Sequence, residues 1–258
     1  MLLRTEKLVK TFGGLVAVNE IDFGISTGEV VAIIGPNGSG KTTFFNVISG
    51  ILPASAGRIF FKDAEVTRLK AHEVTALGMA RTFQNIRLFP NLTARDNIVV
   101  GRYARNSSGL WDGLVRSARL RAEERQNEER CRELLEFVGL AQYRDVMAKN
   151  LPYGAQRRLE IARALASEPA LLLLDEPAAG MNPREVDALL ELIGRLKARG
   201  LTILLIEHQM RLVMGIAERV AVFDHGVKIA EGKPHEVRHD PKVIEAYIGT
   251  EVAAGVKH

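Results

Sequence analysis

The stretch "VVAIIGPNGSGKTTFF", residues 30–45, limits the possible architecture more than any other part of the chain. Its five opening apolar residues do not alternate with polar ones, which suits a strand covered on both faces of a parallel sheet. "GPNGSGKT" (35–42) then matches G-x-x-x-x-G-K-[ST], and a helix-forming run from Lys41 to Ser49, closed by Gly50, follows it. A strand, a glycine-rich turn and a helix in that order form a phosphate cradle. Gly35, Gly38 and Gly40 let the backbone wrap closely around phosphate oxygens. Pro36 carries no N–H, so the donors start at Asn37 and continue through Ser39 and Thr43. Lys41 is expected to reach the β- and γ-phosphates and Thr42 to offer its hydroxyl to Mg²⁺. The implied ligand is a nucleoside triphosphate, ATP, with Mg²⁺.

Three more apolar runs read as buried strands: "LLLL" (171–174), "TILLI" (202–206) and "RVAVF" (219–223). Helical patterns alternate with them over Arg157–Ala166 and over Pro183–Ala198, the latter closed by Gly200. This is α/β construction, a P-loop core on a mostly parallel sheet. The first 28 residues and "GRIFFKDAEV" (57–66) alternate in shorter steps and predict a small antiparallel sheet beside it. Between residues 85 and 154 the texture turns helical. "RNSSGLWDG" reads there as a loop, and "LRAEERQNEERCRELLEFVGL" as a charged amphipathic helix with Cys131, Leu134, Leu135 and Val138 near one face. We expect one domain over 1–258: an α/β core from 1–84 and 155–258, with a helical subdomain from 85–154.

Bulk properties exclude several classes. A net charge of +4 over 258 residues is too small to argue for nucleic acid, though it suits an anionic membrane surface. The single cysteine, Cys131, rules out an internal disulfide, fits a reducing compartment and reads as an ordinary helix residue. Charges break "MLLRTEKLVKTFGG" before a secretory signal can form. No apolar run approaches the ~20 residues that cross a bilayer, so the chain by itself moves nothing through a membrane.

Four polar residues sit where strands run out, the position at which α/β proteins bind ligands. A carboxylate at the end of the buried "LLLLD" strand is costly unless it meets a cation, so Asp175 is a candidate Mg²⁺ ligand, direct or through water. Glu176 is a candidate general base for an attacking water; the plainer reading of this acidic pair is a cap on the next helix. The amide of Gln84 suits both metal and water. His208 suits the γ-phosphate or water and would support Glu176. Phe12, an aromatic in a Gly-rich turn, is placed either to stack on adenine or to staple the small sheet.

"LPYGAQRRLEIARAL" (151–165) adds a second helix start, with Gly154 at its mouth and two arginines, Arg157 and Arg158, near it. A helix N-terminus attracts anions, and one phosphate site does not need two. The order and spacing of "GPNGSGKT", Gln84, this stretch, "LLLLDEP", "AGMN" and His208 resemble those of ABC-transporter ATP-binding subunits over essentially the whole chain. The resemblance implies head-to-tail packing of two ATP-binding chains. Tyr153, Gly154 and Ala155 of one would then face the γ-phosphate held by the other. "RTFQNIRLFPNLTARDNI", "YGAQRRLEIARAL", "LDEPAAGMNP", "LLIEHQMRLVMGIAERVAV" and "DPKVIEAYIG" resemble the branched-chain amino-acid importers within that family. This implies a second ATP-binding subunit (itself or a paralogue), two membrane permeases docking near Gln84–Leu92, an external solute-binding protein, and a peripheral position on the cytoplasmic face of the membrane. Other readings are the ATPase of a lipopolysaccharide exporter, a soluble ABC ATPase without a transport role, and a small-molecule kinase. The chain departs from the usual family pattern at Pro152, where a serine is common, and at Asn182, where an aspartate is. With no serine hydroxyl at 152, backbone N–H groups near Gly154 would carry the contact. The arginines are read either as phosphate-seeking or as cover for the helix surface.

Overall fold

The computed structural model describes residues 1–102 and 118–247, with the side chains of all of these except 118–124. The predicted "RNSSGLWDG" loop and the last residues of "DPKVIEAYIG" lie outside that set. In chain order the elements are β1 (Leu3–Phe12), β2 (Leu15–Ile25), β3 (Val30–Ile34), α1 (Lys41–Ile48), β4 (Ala56–Phe61), β5 (Ala64–Glu65), α2 (Ala71–Ala76), β6 (Met79–Arg81), α3 (Ala94–Gly101) and α4 (Ala118–Phe137). Then come α5 (Tyr153–Ala166), β7 (Leu171–Asp175), α6 (Pro183–Ala198), β8 (Thr202–Ile206), α7 (Met210–Ile216), β9 (Arg219–Asp224), β10 (Val227–Gly232) and α8 (Pro234–Val237).

Two sheets result. The larger has the order β10-β9-β3-β8-β7-β6, parallel except at the β10 edge; the smaller is antiparallel, β2-β1-β4-β5. Every residue of β3, β7 and β8 is buried. The strand period of two sends their side chains alternately to two apolar clusters. Val30, Ala32, Ile34, Leu172, Leu174, Ile203 and Leu205 face the cluster built with α5 and α6. Val31, Ile33, Leu171, Leu173, Leu204 and Ile206 face the one shared with the small sheet. Helix α1 crosses that second cluster. Its Phe44 ring stands edge-on to Phe23 at 5.6 Å and to Phe223 at 5.3 Å, so the helix leaving the P-loop is held by both sheets.

Cys131, Leu134 and Leu135 of α4 and Val138 just after it belong to the first cluster, together with Ile98 of α3, so the helical stretch shares the apolar core of the main sheet. Burial pushes the Cys131 thiol up to about 11, which leaves it neutral and inert, as its reading as an ordinary helix residue implies. Helix α5 departs from expectation: it begins at Tyr153, four residues before Arg157, with Pro152 in the cap position. Proline is tolerated at a helix entrance, where an N–H would have no intrahelical partner. The two arginines therefore stand in the second turn rather than at the anion-attracting end.

Candidate active site

The P-loop follows β3 and is seated by two glycines. Gly35 has φ 146° and Gly40 φ 96°; a β-carbon would collide with the Phe223 carbonyl at the first and the Ala17 carbonyl at the second. The loop is thus pressed onto β9 and β2, and only glycine fits at either contact. At its far side α1 opens with no acidic residue in the first turn and no side-chain cap, which leaves its N–H groups for an anion. Lys41 Nζ folds back over the loop and donates to the carbonyls of Gly35 (2.7 Å) and Pro36 (2.8 Å). Burial lowers the affinity of Lys41 for its proton, and the charges of Glu176 and Asp175 oppose that effect. A cleft of about 380 Å³ lies over the loop. Its walls include Phe12, Asn37, Gly38, Ser39, Gly40, Lys41, Thr42, Thr43, Gln84 and Glu176, together with Leu15 and Ala17, which sequence reading had not selected.

The strand ends supply the acids. Asp175 is buried, and its Oδ2 accepts from Arg81 Nη2 at 2.8 Å while its Oδ1 has no hydrogen-bond partner. Glu176 follows with φ 45°, a left-handed backbone uncommon outside glycine. The turn is held by its N–H on the Ile206 carbonyl at 3.0 Å. It aims the carboxylate at the cleft, where Oε2 accepts from Gln84 Nε2 at 3.0 Å. His208 is exposed, with Nδ1 3.9 Å from Glu176 Oε2; the two are neighbours but not hydrogen-bonded. Phe12 stands exposed at the end of β1, with Lys10 Nζ 5.1 Å from its ring centroid.

Tyr153, Gly154 and Ala155 stand apart from this cleft, at the start of α5. Tyr153 Oη donates to the Ala179 carbonyl at 2.9 Å, and Gly154 lies so close to the Glu185 carboxylate that a β-carbon there would displace it. Glu185 and Asn182 form a capping box on α6: Asn182 Oδ1 accepts from the N–H groups of Arg184 (3.0 Å) and Glu185 (3.1 Å), and Glu185 Oε2 from the Asn182 N–H. The amide that replaces the usual aspartate is therefore occupied as a cap.

Arg157 and Arg158 of α5 both donate to backbone carbonyls of their own chain. Arg157 is buried; its Nη1 donates to the Phe83 carbonyl at 2.7 Å, its Nη2 to the Gln84 carbonyl, and it pairs with Glu160. Arg158 Nη1 donates to the Val138 carbonyl at 3.0 Å. Two residues of evident importance, Arg81 and Glu207, were not singled out in the sequence, and Arg157 was singled out there for other roles. Glu207 is fully buried, and its carboxylate accepts from the N–H groups of Ala178 (3.1 Å), His208 (2.8 Å) and Gln209 (2.9 Å). The signal that picked out Asp175, an acid ending an apolar strand, was present at "TILLIE" as well.

A phosphate-cradling loop, a carboxylate and a polar amide share one cleft, and the comparisons with known proteins decide its kind. The ABC transporter family model matches residues 18–179. The chain belongs to the ABC transporter ATP-binding family. Its activity is therefore that of a nucleotide-binding ATPase. A second model, the branched-chain amino acid ATP-binding cassette transporter, matches residues 227–253. Among curated proteins, this ABC chain is 42% identical over 249 residues to the high-affinity branched-chain amino acid transport ATP-binding protein LivG of Escherichia coli, covering 96% of this chain and 98% of that one. It is 41% identical, with the same coverage, to BraF of Pseudomonas aeruginosa, which carries the same description. Among solved structures, the ADP conformation of an ATP-binding cassette of an ABC transporter superposes with a TM-score of 0.83 at 35% identity, covering 96% of this chain and 98% of that one. None of the described helices is long and apolar enough to cross a membrane.

Proposed function

We propose that this chain is the ATP-hydrolysing subunit of an importer for branched-chain amino acids, bound peripherally at the cytoplasmic face of the membrane. The observation that carries the substrate class is the pairing of full-length similarity to LivG and BraF with a C-terminal match, over residues 227–253, to the branched-chain cassette model. That match favours the importer over a lipopolysaccharide exporter.

In this reading the backbone from Asn37 to Thr43 and Lys41 Nζ hold the phosphates, with Gly35 and Pro36 shaping the turn and Phe12 stacking on adenine. Lys41 gives up its bonds to the Gly35 and Pro36 carbonyls when a phosphate offers a better acceptor. Thr42, Gln84 and Asp175 hold Mg²⁺, directly or through water. The unpartnered Asp175 Oδ1 and the exposed Thr42 hydroxyl supply the hard oxygen donors that this ion selects. Among the described residues no three His, Cys, Asp or Glu side chains cluster as a metal cage. Held by these residues, Mg²⁺ would supply charge neutralisation to the bound nucleotide. Glu176 takes the proton of the attacking water, Gln84 orients both, and His208 moves the short distance needed to support Glu176. Tyr153, Gly154 and Ala155 meet the γ-phosphate of a second ATP-binding chain, itself or a paralogue. The segment Gln84–Leu92 receives two permease subunits, which are fed by an external solute-binding protein, and 85–154 acts as the helical arm between permease and cleft.

The test is transport. In cells whose own copy carries Lys41→Ala, uptake of labelled leucine, isoleucine and valine should fall about 100-fold, the cost of removing one buried phosphate-stabilising donor, while uptake of an unrelated sugar is unchanged. Undiminished leucine uptake would remove the substrate assignment.

A further inference from the structure

The guanidinium of Arg81 makes contacts that the ATPase reading leaves unused. Its side chain is 5% exposed and lies between the rings of Phe45, 5.5 Å from its carbon to the centroid, and Phe83, at 5.1 Å. Nη2 donates to Asp175 Oδ2 at 2.8 Å. Nη1 donates to Asn46 Oδ1 at 2.8 Å and Ser49 Oγ at 3.0 Å, both on or closing α1. Arginine–carboxylate pairs commonly take a two-pronged fork that satisfies both oxygens. Here the second prong is spent on α1, and Asp175 Oδ1 is left buried without a partner, as is Arg81 Nε.

We infer that Arg81 is a positioning residue for the metal carboxylate: it locks Asp175 by one oxygen against the helix that carries Thr42, so that the other oxygen is presented to Mg²⁺. This rests on the proposed Mg²⁺ site. One turn of α1 separates Thr42 from Asn46, so a single rigid guanidinium sets the place of the Asp175 carboxylate relative to the Thr42 hydroxyl. Arg81 also ends β6 and leads, three residues on, to Gln84. All three proposed metal-site residues are therefore tied to one cation. The positive charge itself works against binding a second cation nearby. The sign of the effect on metal affinity thus separates positioning from simple electrostatics.

The experiment measures Mn²⁺ binding to the ADP-loaded full chain by the electron paramagnetic resonance signal of free Mn²⁺, with ADP affinity in EDTA as the control. Arg81→Met should weaken Mn²⁺ binding about tenfold, the low end for loss of a residue that orients a metal ligand. ADP affinity without metal should stay within about twofold, because no phosphate contact is touched. Arg81→Lys, which keeps the charge but cannot span both partners, should recover little. Asn46→Ala, which removes only the outer anchor on a helix that tolerates alanine, should weaken Mn²⁺ binding about threefold, since the Ser49 anchor remains. Unchanged or tighter Mn²⁺ binding in Arg81→Met, with ADP binding intact, overturns the inference. Where Arg81→Met fails to fold, unchanged Mn²⁺ binding in Asn46→Ala overturns it. A wild-type chain that binds no Mn²⁺ beyond what free ADP takes up overturns the Mg²⁺ reading beneath it instead.

Discussion

Asp175 ends β7 and Glu207 directly follows the neighbouring β8; the two are buried to nearly the same extent and meet that burial in opposite ways. Glu207 is satisfied entirely by the protein, since three backbone N–H groups converge on its two oxygens. Such a carboxylate organises backbone, with both of its oxygens already engaged. It fixes where His208 leaves β8 and where the turn after Glu176 begins, because Ala178 lies on one side and His208 and Gln209 on the other. Asp175 keeps one oxygen unbonded, which a purely structural role does not require. Glu207→Ala should orphan all three donors and lower stability by about 2–3 kcal/mol in urea unfolding, the scale of buried N–H groups left unpaired. The turnover number should fall with it, because His208 and Glu176 lose their common support. A variant with wild-type unfolding would show that water replaces the carboxylate at no cost.

At the level of elements, α5 works as a clamp inside its own chain. Arg157 grips the Phe83 and Gln84 carbonyls, Glu160 accepts from the Arg87 N–H at 3.2 Å, and Tyr153 ties the helix start to the Ala179 carbonyl. The loop that carries Gln84 is therefore fastened to the helix that carries Gly154. A shift of either moves the other, which is the mechanical link that the proposed permease-facing and phosphate-facing roles of these segments would need. Arg157→Met should cost about 3 kcal/mol, because it takes from the buried Glu160 carboxylate its hydrogen-bonded cation, with only the charge of Arg163 left nearby. Adding Glu160→Gln should return at least about 1 kcal/mol, since an amide does not need that cation. Urea unfolding of the two variants checks this, and simple additivity of the losses would show that the pair is not coupled. The buried strands β3, β7, β8 and β9 were legible because strands covered on both faces must be uninterrupted apolar runs, and the P-loop because its glycines answer to backbone geometry within eight residues. Arg157 was not legible: its partners lie 73 and 74 positions away, and sequence spacing carries no record of that contact. The start of α5 was misread for a local reason, since Pro152, Tyr153 and Gly154 are weak helix formers inside a sequence that otherwise favours helix from Arg157. Arg81 was hidden in a strand of three residues, too short to give a periodic signal.

For the molecule as a whole, the two halves of the proposed chemistry point different ways. The cleft over the P-loop has Lys41, Gln84 and Glu176 in its walls, whereas Tyr153, Gly154 and Ala155 are not among them. Helix α5 begins with no acidic residue in its first turn and no side-chain cap, and the Glu185 carboxylate beside Gly154 is already drawn on by the Asn182 N–H. The proposed head-to-tail pairing of two chains would satisfy both needs, with binding of ATP as the event that joins them. Glu176→Gln isolates this step. The amide oxygen still accepts from Gln84 Nε2, so the cleft keeps its shape, but no proton acceptor remains for the water. Hydrolysis should fall at least about 100-fold, the usual weight of a general base, while ATP binding persists. Light scattering after size exclusion should then show a species of twice the monomer mass, growing with protein concentration and with ATP as mass action requires. In the wild type, specific ATPase activity should rise with protein concentration at fixed ATP and level off once dimers dominate. A Glu176→Gln chain that stays monomeric at every ATP concentration, alone and mixed with its paralogue, would leave the start of α5 without a phosphate to face.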